Sequence, residues 1–418
     1  MTDPAESVYE LARSLSAAAL PAYIYDLDAL REHAAAIRSA LPDRVELYYA
    51  AKANPETRIL TALAPYLDGC EVSSGGELAH VAAALPEHPL AFGGPGKTPA
   101  EIAAAVAAGV RRFHIESEHE LRVLAHLAGN SADSADSARE PIRVLLRFNL
   151  AWPQGLTPSG VLKMGGGPTP FGLDPTQADA MVNQLTNGSC PALELIGVHA
   201  HLASGLDAPE LLAVARSTVD WADALFSRHG MALHEVNVGG GMYVDYTDPG
   251  ARFDWAAYGA GLGRILTEHP GLRLRIEPGR ALTAYCGWYA TEVLDVKSSH
   301  GEQFAVVRGG THHLRTPAAK GHDQPCTILP VEDWPHPWPR PVGGGDSVTF
   351  VGQLCTPKDV LARRVRAPRL RAGDRVAFAL AGAYAWNISH HEFLMHPPPE
   401  VHFVTKLAWT DHPTGGRT

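Results

Sequence analysis

Lys52 stands at the end of the apolar run Val45-Glu46-Leu47-Tyr48-Tyr49-Ala50-Ala51-Lys52-Ala53-Asn54, and it is the only charge between Leu47 and Asn54. A lone ammonium at the end of such a run is costly unless paired. Desolvation lowers its pKa and makes it an amine nucleophile or Schiff-base former. From this stretch alone it could equally snorkel to solvent. Further groups with chemical potential follow. Glu277-Pro278-Gly279-Arg280 couples a carboxylate, a rigid turn and a cation. Gly239-Gly240-Gly241 offers a backbone nest for an anion, although such a run can equally be a tight turn. His199 and His201, at i and i+2, would share one face of a strand. A metal would want a third ligand at suitable spacing; none is evident nearby, so no metal is expected. Cys355 lies in Gly352-Gln353-Leu354-Cys355-Thr356-Pro357-Lys358-Asp359. It reads either as a small buried hydrophobe or as a reactive thiol on a polar loop. Tyr384, after Gly382-Ala383, could offer a hydroxyl to an anion. Thr311-His312-His313-Leu314-Arg315 concentrates donors suited to a carboxylate-rich ligand.

The elements that position these groups have a rhythm. Short apolar runs alternate with alanine- and leucine-rich helical stretches: Val45–Ala51, Gly69–Ser73, Leu90–Phe92, Phe113–Ile115, Ile142–Phe148, Glu194–His201, Glu235–Val238 and Arg273–Glu277. Eight strand–helix units in about 250 residues predict a (β/α)8 barrel rather than an open doubly wound sheet. Polar, charged or glycine residues follow nearly every run, as a barrel's active-site end requires. After Ala281 the runs become strand-like and are separated by Pro/Gly-rich turns. The reading is therefore a segment 1–27 that joins a β domain, a barrel over 28–281, and a mostly β domain over 282–418. The Ser/Ala/Asp stretch Gly129–Ala138 reads as a surface insertion without function.

Composition bounds the function. The chain has 418 residues and a net charge of −10, with no long basic run, so nucleic acid is not an expected partner. No apolar run approaches the length of a membrane span. The N-terminus lacks the order of a signal peptide, and the five cysteines are scattered without a CxxC pair. Both point to the cytoplasm and away from a disulfide frame.

A reactive lysine, an anion nest, a carboxylate and a stacking histidine together describe a site for pyridoxal 5′-phosphate. Tyr48–Asn54, Glu71-Val72-Ser73-Ser74-Gly75-Gly76-Glu77-Leu78, His201 with Ser204, the glycine triplet, Glu277–Arg280, Cys355 with Asp359, and Gly382–Tyr384 carry a more specific likeness. From Tyr23 to Phe403 the chain resembles the fold-type III pyridoxal-phosphate decarboxylases, the group of diaminopimelate and ornithine decarboxylases. The resemblance implies an alanine racemase-like barrel with a C-terminal β domain, assembled as a homodimer with shared active sites. It implies Lys52 as the Schiff-base lysine, His201 against the cofactor ring, and Glu277 on the pyridine nitrogen. Ser204, Gly239, Gly240, Gly241, Gly279, Arg280 and Tyr384 would hold the phosphate. Cys355 would deliver a proton from the partner subunit, and Asp359, with His312, His313 and Arg315, would meet the substrate. Thr356-Pro357-Lys358 after Cys355, where the diaminopimelate enzymes carry Glu-Ser-Gly, looks like the branch that decarboxylates carboxylate-siderophore intermediates such as citryl-diaminopropionate. Diaminopimelate decarboxylase, another basic amino-acid decarboxylase, an amino-acid racemase and a non-catalytic cofactor-binding homologue are the alternatives.

Overall fold

A computed structural model describes residues 5–132, 140–156 and 158–405. It divides into two compact units. One is His33–Tyr243 with Phe253–Leu282; the other comprises the described residues up to Glu32, Val244–Arg252, and those from Thr283 on.

The first unit is a closed barrel of eight parallel strands: β1 Val45–Ala50, β2 Gly69–Val72, β3 Leu90–Phe92, β4 Arg112–Ile115, β5 Ile142–Arg147, β6 Leu193–His199, β7 Glu235–Asn237 and β8 Arg273–Ile276. Each pairs with the next in sequence, and β8 closes onto β1 with Leu274 opposite Val45. The eight runs read from the sequence are these eight strands, with every end within two residues of the one expected. Val45, Leu47 and Tyr49 are buried, as expected for a strand covered by helices.

The alternate residues build layers across the barrel. Arg112 on β4 hydrogen-bonds to Tyr48 on β1, two strands that are not neighbours, so this contact crosses the interior. Arg275 on β8 is fully buried there, bonded to Glu46 at 3.1 Å and Glu235 at 2.5 Å. Two residues further along the same strands come His114, Asn237 and Glu277, because side chains repeat on one face with period two. The lower layer is thus ionic and self-paired, which a buried charge requires. The next one is the floor of the site.

The helix Leu27–Ala40 leads into β1. The Asp26 carboxylate accepts the Asp28 and Ala29 amides at 3.0 and 2.9 Å and so caps it. The helix after β4, Glu118–Ala132, runs into the stretch expected to be an insertion; part of that stretch lies outside the described residues.

The second unit is an eight-stranded sheet. Cys326–Leu329, Arg375–Phe378, Gly287–Ser299, Glu302–Val307, Ser347–Val351 and Val360–Arg366 follow one another across it. Ala22–Asp26 pairs antiparallel with Gly287–Ser299 and parallel with Glu400–Val404. The helix Glu6–Ser14 packs Val8, Leu11 and Ala12 on Ala22, Ile24, Ala290, Ala377 and Val404.

Candidate active site

Lys52 follows β1 on the short turn Ala51–Ala53, between buried alanines. Its side chain is 45% exposed, whereas that of Glu71, its partner on β2, is 5% exposed. The Nζ–Oε2 distance is 2.6 Å, and Ser73 Oγ, 3.4 Å from Nζ, donates to the other Glu71 oxygen at 2.7 Å. Burial, the largest influence, pushes the Glu71 carboxyl up, but the Lys52 ammonium, the Ser73 hydrogen bond and the Arg147 charge together outweigh it, so Glu71 is held below the ordinary glutamate value. The lysine is paired, not snorkelling alone.

Glu277 follows β8 and is buried. Burial first, and the Glu71 charge second, raise its carboxyl to about 7. Asn237 on β7 donates to its Oε1 at 2.6 Å. His114 Nε2 is 3.7 Å from Oε1, and His199 Nε2 is 4.0 Å from Oε2. The barrel thus brings His199 the third ligand-type group that local spacing lacks; ligand atoms of His114, His199 and Glu277 lie within 4.8 Å of one another. The amide of Asn237 already faces His114 and Glu277, which leaves those lone pairs directed at an N–H group.

β6 ends at His199, so the two histidines part company. His199 turns into the floor beside His114, ring centroids 4.4 Å apart. His201 lies beyond the strand against the glycine triplet. A Cβ on Gly239 would come within 2.7 Å of the His201 ring, and one on Gly241 within 2.1 Å of the Ala203 carbonyl. Both glycines have positive φ, +69° and +98°. The triplet therefore seats the imidazole as well as turning the chain. Burial holds His201 down to about 3, so its ring is neutral.

The Gly239 amide donates to Asn237 Oδ1; those of Gly240 and Gly241 have no acceptor among the described residues. Gly205 and Leu206 donate to the Gly241 carbonyl at 2.8 and 3.0 Å, bringing Ser204 alongside the triplet. Glu277 N–H donates to the Gly239 carbonyl at 2.8 Å, bringing Gly279 and Arg280, where the chain turns into the helix Arg280–Thr283, to the same rim.

Sequence reasoning gave no role to Glu71, His114 or Asn237. The available signal was phase: each is a polar residue in a short apolar strand, on the inward set.

The second unit holds the remaining residues singled out from the sequence. Cys355 and Arg315 are exposed. Asp359, expected to meet the substrate, is instead buried within its own chain. Its carboxylate accepts the Thr311 amide at 2.7 Å, the Thr311 hydroxyl at 2.9 Å and the Leu354 amide at 2.8 Å. It ties two loops together, and Gly310 and Gly352 close around it because a Cβ on either would meet its oxygens. His313 is buried, its Nδ1 3.0 Å from the Tyr289 hydroxyl and its Nε2 3.1 Å from the Pro397 carbonyl, so it does not present its ring outward. His312 is buried with neither ring nitrogen partnered among the described residues, and burial holds it down to about 4. Tyr384 has φ +49°, and its carbonyl accepts from the Thr316 hydroxyl.

The barrel site fits pyridoxal phosphate on the chemistry of its donors: an amine at the rim, unused amides and an arginine for the phosphate, and a buried carboxylate for the ring nitrogen. Fold and site define a barrel enzyme of the pyridoxal-phosphate class. Residues 27–284 match the model of the pyridoxal-binding domain of the pyridoxal-dependent decarboxylases. The chain belongs to that family and is a pyridoxal phosphate-dependent decarboxylase. It is 38% identical to a Staphylococcus aureus 2-((L-alanin-3-ylcarbamoyl)methyl)-2-hydroxybutanedioate decarboxylase, over 92% of this chain and 94% of that one. It is 31% identical to a Niallia circulans decarboxylase of L-glutamyl acyl-carrier protein, over 91% and 87%. A diaminopimelate decarboxylase variant from Helicobacter pylori, solved with L-lysine, shares the fold with a TM-score of 0.81 at 24% identity, over 95% and 94% of the chains.

Proposed function

We propose that the substrate is an amino acid joined through an amide to a polycarboxylate such as citrate, an intermediate of a carboxylate siderophore, and that the enzyme removes its α-carboxylate. One observation carries this reading: the likeness to the Staphylococcus aureus enzyme spans nearly the whole of both chains. That enzyme's name describes alanine linked at C3, through an amide, to a citrate skeleton.

Lys52 is proposed to hold the cofactor covalently, with Glu71 positioned to take up the proton its ammonium must shed. Pyridoxal phosphate supplies an electron sink for the pair left on Cα when the bond to the carboxylate breaks and carbon dioxide departs. Glu277 would hold the proton at the ring nitrogen, and the neutral His201 ring would lie against the cofactor. Ser204, Gly240, Gly241, Gly279, Arg280 and Tyr384 hold the phosphate. The Cys355 thiol delivers the proton to Cα, entering from the partner of a homodimer. Arg315, which is exposed, is the donor offered to the distal carboxylates; Asp359 positions its loop. Five free cysteines and no disulfide among the described residues support a reducing cytoplasm.

The test measures carbon dioxide release from the citrate amide of 2,3-diaminopropionate, diaminopimelate, ornithine and lysine. The conjugate should have the highest kcat/KM. Preferential turnover of diaminopimelate would overturn the substrate assignment, and no release from any compound would favour a cofactor-binding homologue.

A further inference from the structure

Asn237 links three groups on the floor of the barrel, and its orientation follows from one backbone amide. Its Oδ1 is 2.8 Å from the Gly239 nitrogen, which can only donate. Oδ1 is therefore the acceptor end of the side chain, and Nδ2 is the atom 2.6 Å from Glu277 Oε1 and 3.2 Å from His114 Nε2. Nδ2 carries two hydrogens, one for each contact. His114 Nε2 must then present its lone pair, which puts the proton of the neutral ring on Nδ1. Neutrality agrees with its surroundings: burial first, then the Arg275 charge, hold His114 well below the ordinary histidine value. The groups facing Glu277 are Glu71 and Lys52 from β2 and the β1 turn, His114 from β4, His199 from β6, and Asn237 and Arg275 from β7 and β8.

We propose that His114 is a positioning residue: as the Nδ1–H tautomer it accepts the second Asn237 N–H, holds the first on Glu277, and so keeps that carboxylate ionised for the cofactor's ring nitrogen. The proposal rests on the reading that Glu277 serves that nitrogen. Were Nε2 to lose its lone pair, one Asn237 hydrogen would be left without an acceptor in a buried site. The amide would then swing away from Glu277, whose carboxyl burial already biases toward the protonated form.

The test reads the Glu277 carboxyl directly, by infrared pH titration of the cofactor-free protein, with Glu277→Gln to assign the band. A glutamine at 114 can place its amide oxygen where Nε2 stands, whereas an asparagine reaches only the Nδ1 position. In His114→Asn and His114→Phe the carboxyl should titrate about one pH unit higher than in the wild type, and in His114→Gln it should return. In the loaded enzymes, assayed at about pH 6 where a one-unit rise lowers the ionised fraction about tenfold, kcat should fall about tenfold for Asn and Phe, with KM little changed and activity restored by Gln. Circular dichroism reports whether each variant is folded; the Asn and Gln pair differs only in reach and decides the matter even if the Phe variant fails to fold. An unmoved titration in folded His114→Asn, or no restoration by Gln, overturns the proposal. Failure of the underlying reading looks different: the titrations shift as described, but Glu277→Gln retains the wild-type kcat.

Discussion

Lys52 and Glu71 form an ion pair in which the acid is buried and the base is not. Such a pair holds the amine in place without enclosing it, which suits a nucleophile that must meet an incoming aldehyde. Lys52→Ala should therefore abolish covalent cofactor. After borohydride reduction, intact-mass measurement should show pyridoxal phosphate on the wild type and none on the variant, with turnover near background. A retained adduct would place the covalent attachment elsewhere. Lys52 was legible because it is the only charge between Leu47 and Asn54, and Glu277 because it closes a strand-length run just before the turn Pro278-Gly279. Glu71, His114 and Asn237 were not. Their significance depends on which residues stand across the barrel, and that is set by strand closure rather than by local spacing.

At the scale of elements, the strand–helix alternation was readable because buried parallel strands are short and nearly all apolar. Strand ends were less so, since the hydrophobic pattern continues into the loops, as at His199 and His201. The loops of the second unit were the least legible. Asp359 was read as a substrate contact, yet its three hydrogen bonds join the Thr311 and Leu354 segments. An uncharged amide with one oxygen cannot replace that acceptor set. Asp359→Asn should cost about 2–4 kcal/mol, because hydrogen bonds to a charged group are worth about 1.5–3 kcal/mol each. The Tm should drop by several degrees while the barrel's cofactor spectrum persists. An unchanged melting curve would mean that the carboxylate carries no structural load and would return it to the substrate.

At the scale of the whole molecule, the shared-site reading makes a prediction that no single chain can satisfy. Lys52→Ala and Cys355→Ala should each be nearly inactive as pure proteins. Mixing them under conditions of subunit exchange, confirmed with two affinity tags, should restore part of the activity, because a mixed dimer rebuilds one site with both wild-type residues. Complete exchange without recovery would mean that Cys355 acts within its own chain or is structural.

The strand Ala22–Asp26 lies between Gly287–Ser299 and Glu400–Val404. During synthesis it is among the first described segments to leave the ribosome, and the last of its two neighbours emerges only after both units have been translated. At about 5–20 residues per second the wait is on the order of a minute or less. Both of its edges are unpaired until Gly287–Ser299 emerges, and one stays unpaired until Glu400–Val404 follows. In the barrel each strand pairs with the next in sequence, and only β1 must wait for a distant partner, β8, which is made before Glu400–Val404. A nascent chain of this enzyme would therefore carry a finished barrel behind an N-terminal segment still awaiting its sheet, and that segment is where a chaperone would be expected to bind.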